Sequence, residues 1–174
     1  NLSFVYEISK ILKIKKKNFI NSLTNFNGLQ HRHESFLKLK GIKFINDSKA
    51  TSFEASKHAL ENNKNIFWIV GGLHKLGDKF NLKKIKKNIN NSFIIGKNPA
   101  FFKKQLKFNK LSFKVTKNLK KTVQLIFKEI IKNPQKKITV LFSPASASYD
   151  QYKNYIERGN DFKQLVKIYA RKII

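Results

Sequence analysis

The sequence predicts an α/β fold: a Rossmann-like, mostly parallel sheet with helices on both faces. Three apolar runs carry the prediction, Asn65 to Val70, Ser92 to Ile95 and Lys137 to Phe142. They stop at Gly71-Gly72, at Gly96 and at Ser143-Pro144. Continuous apolar runs of this length suit central strands buried on both faces. Stretches with helical spacing alternate with them, and strand–helix alternation specifies a parallel sheet covered on both sides.

In chain order, Leu2, Val5, Ile8 and Leu12 recur at helical spacing, as do Phe19, Leu23 and Phe26. Residues 1 to 26 therefore read as two short helices, with Lys13 to Asn18 as a solvated link. Gly28 closes this piece, and Gln30 to Arg32 leads out of it. Ser35 to Leu39 and Ile42 to Asn46 flank Lys40-Gly41 and read as a hairpin. Ser52 to Leu60 reads as a helix, with Asp47, Ser48 or Thr51 as its cap. Leu111 to Val115 alternates, as a strand with one wet face does. Asn118 to Lys132 has the clearest helical stripe, Leu119, Val123, Ile126 and Ile130, and Asn133-Pro134 stops it. Tyr152 to Arg158 and Asp161 to Lys172 make two last helices, broken at Gly159. The expected division is a helical segment over 1–30 and an α/β domain over 31–174.

Composition narrows the class. With 174 residues and 41% hydrophobic content the chain can bury a core, so disorder is not expected. No apolar run approaches the roughly 18 residues of a membrane span, and no signal peptide opens the chain. There is no cysteine, which removes disulfides and thiolate metal sites and fits a cytoplasmic protein. There is no methionine either, so a start on Asn1 suggests a fragment or a truncated product. The formal charge of +27 invites a nucleic-acid partner, but it comes from lysines spread over every segment, with arginine only at 32, 158 and 171. Phosphate and base recognition lean on the arginine fork. Lysine, asparagine, isoleucine and phenylalanine all have A/T-rich codons, so genome composition explains the charge more simply. Scattered surface lysines are screened beyond about 8 Å. Specific nucleic-acid binding is not expected.

In open parallel sheets, ligands bind beyond the carboxyl ends of the strands. Three polar turns follow predicted strands: Asn46-Asp47-Ser48-Lys49-Ala50-Thr51, Gly71 to Lys75, and Ser143 to Ser148. The first joins a strand to a helix, where free N–H groups favour anions. Each turn also has a plain reading, as a helix cap, a glycine turn or a small-residue loop. The sequence has neither G-x-G-x-x-G nor a Walker-type G-x-x-x-x-G-K-[ST]. His31, His33, His58 and His74 lack metal-ligand spacing.

Phe44 to Thr51 (FINDSKAT), Gly28 to Glu34 (GLQHRHE) and Ser143 to Tyr152 (SPASASYDQY) together resemble the Mur ligase family, most closely its D-glutamate-adding members. NDSKAT discriminates, because sister Mur ligases carry DYAH-like or DYGHH-like segments at this turn and folylpolyglutamate synthetases carry DGAHNP. The resemblance runs over essentially the whole chain, yet covers only part of such an enzyme. It implies a C-terminal, amino-acid-binding domain over 31–174, preceded over 1–30 by the last helices of a central ATPase domain. It further implies D-glutamate contacts at Lys75, Thr51, Ser148, the backbone of Tyr149, and Tyr155. ATP contacts are implied at Asn1, Arg32, Asp47 and Lys49, with His31 and Asp150 orienting. Glu157 and Arg158 are expected, like Asp150, to orient the site and cap helices rather than touch substrate. Lys79 falls between Asp78 and Phe80, where the family has the pair adjacent, which puts the following helix's register in question. Ser52 stands where asparagine is common.

By the same resemblance the reaction is ATP-dependent addition of D-glutamate to UDP-N-acetylmuramoyl-L-alanine, with Mg2+ held by a part not in this chain. The full-length form would be monomeric. Two alternatives stay open at this point: a sister ATP-dependent ligase for another amino acid, or a basic nucleic-acid-binding module.

Overall fold

The structure is a computed structural model that describes residues 2–26, 28–132 and 137–171. Asn1, the Asn133-Pro134 helix stop and Lys172 lie outside the described residues. Two short helices come first, α1 (Leu2–Ile11) and α2 (Lys16–Thr24), with Tyr6 and Phe19 packed at 5.2 Å between ring centroids. Their apolar residues Leu2, Phe4, Val5, Ile8, Ile11, Ile20 and Leu23 stay exposed.

The α/β part follows in the order β1 (Glu34–Leu39), β2 (Ile42–Asn46), α3 (Phe53–Glu61), β3 (Ile66–Gly71), β4 (Ile89–Ile95), α4 (Ala100–Phe108), β5 (Phe113–Lys117), α5 (Leu119–Lys132), β6 (Ile138–Phe142) and α6 (Tyr155–Ala170). The six strands pair in the order β1-β2-β6-β3-β4-β5. β1 and β2 are antiparallel; all other neighbours are parallel. Lys40 and Gly41, at φ 47° and 83°, make the hairpin turn. Consecutive positive φ values match the right-handed twist of the strands they join. The predicted fold class is the observed one.

Side chains alternate across each strand, so the sheet has two cores. Ile45, Trp68, Val70, Ile94 and Leu141 face α3 and α4. Phe44, Ile69, Phe93, Val140 and Phe142 face α5 and α6. β2 leads to α3 on one face and its neighbour β6 leads to α6 on the other. These two neighbours mark a switch point of the sheet, and α/β sheets hold ligands beyond the carboxyl ends of strands at such points.

Several elements differ from expectation for identifiable reasons. The last helix is not broken at Gly159: α6 runs straight through it. A Cβ at Gly159 would lie 2.2 Å from His31 Nδ1, so this glycine admits an imidazole and does not end a helix. The cap of α3 is Ser52, whose hydroxyl accepts from the Ala55 amide at 3.3 Å, and not Asp47, Ser48 or Thr51. α2 begins at Lys16, inside the expected link. α4 lies where strand–helix alternation calls for a helix, but its stripe is too weak to give it bounds: only Phe102 and Leu106, one turn apart, bury fully from it. No α-helix lies between Asp78 and β4. The chain instead makes one 3-10 turn, Lys86–Asn88. Lys79 is exposed, while Asp78 accepts from the Phe53 amide and Phe80 is buried.

Candidate functional site

The turn after β2 is built around a buried carboxylate. Asp47 Oδ2 accepts the Ser143 hydroxyl at 2.6 Å, and Oδ1 accepts the His33 amide at 3.0 Å. The first bond ties the turn after β2 to the turn after β6. Burial holds the Asp47 carboxyl above its ordinary range, opposed by these two hydrogen bonds. A carboxylate has about four acceptor positions, so capacity remains for a hydroxyl donor from outside. Arg32, His33, Asp47, Lys49, Ala50 and Ala55 line an open depression of about 360 Å³ here.

Arg158 ties the turns after β2 and β6 together. It is 1% exposed, on the first turn of α6. Its Nε donates to Ser48 Oγ at 3.1 Å, and Nη2 donates to the carbonyls of Ser48 at 2.8 Å and Ser146 at 2.9 Å. Gly72 packs beside it: a Cβ there would lie 3.2 Å from Nη1 and 2.5 Å from the Ala147 carbonyl. Burial pushes the guanidinium down to about 10, opposed chiefly by Asp150. It therefore stays charged at neutral pH. Leu73 and Ala147 exchange backbone hydrogen bonds at 3.0 and 2.9 Å, and the Gly71 amide donates to Pro144 at 2.9 Å. The turns after β2, β3 and β6 thus form one rim.

The expected D-glutamate residues distribute along that rim. Lys75 and Thr51 are exposed, Ser148 is buried, and Tyr149 is exposed beside it. The Ser148 carbonyl accepts from the amides of Gln151 and Tyr152. Tyr155 opens α6, and its ring carries the Lys49 ammonium 3.9 Å from its centroid. Such a contact contributes about 0.5–2 kcal/mol. It places one expected nucleotide residue against one expected amino-acid residue. Among the described residues no hydrogen bond links Lys75 to Thr51 or Tyr155; its turn is joined to that of Ser148 through Leu73 and Ala147, and Arg158 ties Ser146 to Ser48. Asp150 Oδ2 accepts the Lys97 amide at 3.0 Å, tying in the turn after β4.

His31 is 3% exposed behind this surface. Its Nδ1 meets Asn46 Nδ2 at 2.9 Å, its carbonyl accepts the Lys49 amide, and its ring stands edge-on to Tyr155 at 6.1 Å. Glu34 accepts from the His31 amide and from Asn46, and pairs with Lys163 at 3.0 Å. Burial alone would raise Glu34, but the His31 amide and Lys163 outweigh it and hold it low. Burial, then Lys163, lowers His31; burial, then Lys43 and His58, lowers His33.

A stability prediction follows from the two histidines. A histidine lowered in the folded state binds fewer protons there than when unfolded, so stability is lost as pH falls from about 6.5 through the lowered value. Asp47, raised by burial, works in the opposite sense nearer its own range. Denaturant midpoints should fall between pH 7.5 and 5.5, with a shallower slope in His33→Gln. A midpoint that holds or rises over this interval contradicts the assignment.

Arg158 was expected to orient the site and does so, while the bonds of Asn46, Glu34 and Ser143 and the part of Lys163 were not foreseen. One signal was present: arginine at 158 departs from the lysine bias of the whole chain.

No family model matches the sequence. The chain is 39% identical over 162 residues to UDP-N-acetylmuramoylalanine–D-glutamate ligase of Wolbachia sp. subsp. Brugia malayi, covering 93% of this chain and 32% of that protein. The chain belongs to the Mur ligase family. Solved Mur ligases share its fold at low identity. MurF from Acinetobacter baumannii superimposes with a TM-score of 0.64 at 11% identity, over 92% of this chain and 35% of that one. MurF from Thermotoga maritima, solved in complex with ADP, gives 0.58 at 16%, over 96% and 37%. This Mur ligase chain therefore spans about a third of the length of the relatives it matches.

Proposed function

We propose that these residues are the amino-acid-capturing part of an ATP-dependent ligase that joins D-glutamate to UDP-N-acetylmuramoyl-L-alanine. The observation that carries the reading is the single rim made from three distant turns, two tied by Arg158 and the third by backbone bonds of Gly71 and Leu73. On it, Lys75 faces the side-chain carboxylate of D-glutamate. Thr51, Ser148, the Tyr149 backbone and Tyr155 complete the amino-acid site. A charge-assisted bond from Lys75 contributes about 1.5–3 kcal/mol. The depression holding Arg32, Asp47 and Lys49 receives ATP, with basic groups toward phosphate and Asp47 toward a ribose hydroxyl. His31 and Asp150 hold the turns in place. Asn1, outside the described residues, belongs to the same nucleotide site.

The reaction activates a poor electrophile. ATP transfers its terminal phosphoryl group to the carboxylate of the L-alanyl unit. The D-glutamate amine then attacks the acyl phosphate, an amide forms, a proton is lost from nitrogen, and ADP and phosphate leave. This chain contributes positioning, which turns a bimolecular attack into an oriented one. Among the described residues no group of three or more histidine and carboxylate side chains could hold a metal. Mg2+ is assigned to the rest of the enzyme, and no step here is routed through it.

Residues 1–30 close a central ATP-binding domain and 31–174 form the amino-acid domain. The exposed apolar residues of α1 and α2 support this division. No described helix is long and apolar enough to cross a membrane, and we assign a cytoplasmic, monomeric enzyme without a specific nucleic-acid partner. The sequence lacks a Walker-type loop, so these 174 residues alone do not catalyse ligation.

Titration of the 15N-labelled chain with D-glutamate, L-glutamate and a diamino acid tests the reading. D-glutamate should give saturable shifts at Lys75, Ser148 and Tyr155, and Lys75→Ala should remove them. Preference for either competitor, or tight and steeply salt-dependent binding of DNA or RNA, overturns it.

A further inference from the structure

We infer that His74 is a positioning residue for the amino-acid site, fixing the turn that presents Lys75 by stacking its imidazole on Phe101. The inference rests on the reading of Lys75 given above. The two rings lie 4.1 Å apart between centroids and 6° from parallel. His74 also meets Phe102 edge-on at 6.4 Å, and Phe101 meets Phe80 and Phe102 edge-on at 5.8 and 5.2 Å. Phe80 and Phe102 are core residues, so the stack hangs the turn on the sheet's own interior.

The neighbouring restraints show why this one matters. Before it, Leu73 is paired with Ala147 through two backbone bonds. After it, the Asp78 amide donates to the Lys75 carbonyl at 3.1 Å, while Asp78 Oδ2 accepts the Phe53 amide at 2.8 Å. Between these anchors Leu76 is 95% exposed, and Gly77 sits at φ +78° with open space beside it. His74 is the side chain next to Lys75 that grips the body of the domain. Lysine has a long side chain with many rotamers, and it aims usefully only if its Cα is fixed. Without the stack, the backbone pairing at Leu73 and the Asp78 turn restrain only the ends of the segment.

The test compares His74→Ala, His74→Phe and Lys75→Ala with the parent chain. It reads D-glutamate affinity by NMR titration and backbone order parameters of residues 73–77 without ligand. His74→Ala should weaken D-glutamate about two- to tenfold, the range of one aromatic contact. It should also lower the order parameters of the turn, with the unfolding midpoint down by no more than about 1–6 °C. His74→Phe keeps a flat ring on Phe101 and should restore affinity to within about twofold. If Lys75→Ala loses D-glutamate but His74→Ala binds as the parent does, the positioning role is overturned and the Lys75 reading stands. His74→Phe failing as badly as His74→Ala overturns it as well. A parent chain with no saturable D-glutamate response overturns both.

Discussion

Arg158→Met should destabilise the chain by about 2–4 kcal/mol and remove D-glutamate binding with it. The substitution keeps much of the side chain's volume and its contact with Phe142, whose ring centroid lies 5.8 Å from the guanidinium carbon. It deletes three hydrogen bonds and leaves the Ser48 and Ser146 carbonyls without their donor. Each buried acceptor left unpaired costs about 1–3 kcal/mol. Relief of burying a charge offsets part of that loss, because no carboxylate pairs directly with Arg158 among the described residues. The unpaired acceptors outnumber what relief can cover, so the sign is a net loss. At this chain length the thermal midpoint should drop by about 4–16 °C. Arg158→Lys should not rescue it. A single ammonium cannot reach two carbonyls and a hydroxyl in the plane that the guanidinium fork occupies. Calorimetry of both variants checks this. Parent-like midpoints in either would mean that the rim holds together without the arginine.

The sheet was legible because burial on both faces writes itself as continuous apolar runs. Ile66 to Val70 and Ile138 to Phe142 are buried residue after residue, with Thr139 their one polar member. Strand β5 was placed two residues early because an edge strand alternates weakly and its ends carry little signal. The three turns were legible as strand exits and Arg158 as a residue that orients the site, but not which atoms it holds. Arg158 is 110 residues from Ser48 in sequence, and periodicity says nothing about a contact at that range. Gly159 misled for a related reason. A glycine in a helical stretch reads as a stop when nothing in the sequence shows that His31, 128 positions earlier, needs the space. Local propensity was overridden by a tertiary contact at the site itself, where such conflicts are expected to concentrate.

Gly71→Ala should be the most disruptive of the glycine substitutions, costing about 3–5 kcal/mol. Gly71 ends β3 at φ +126° and pairs with Ile95 of β4. An added Cβ would lie 2.1 Å from the Ile95 carbonyl oxygen, 2.9 Å from its nitrogen and 3.0 Å from its carbonyl carbon. These are main-chain atoms of a central strand, so no side chain can swing away to make room. Either β3 and β4 separate at their carboxyl ends or Gly71 leaves its conformation. The first breaks the β3–β4 ladder, and the second pulls the Gly71 amide off Pro144. Both displace the turn that carries His74 and Lys75, so D-glutamate affinity should fall together with stability. Gly77→Ala is the control, six residues further along the same segment. It also sits at positive φ, +78°, but meets nothing within 4 Å. Only conformational strain of about 1–2 kcal/mol applies there. Comparable losses at Gly71 and Gly77 would show that backbone conformation alone matters. A loss at Gly71 larger by 1 kcal/mol or more, on the order of one overpacked contact, assigns the difference to the contact with β4.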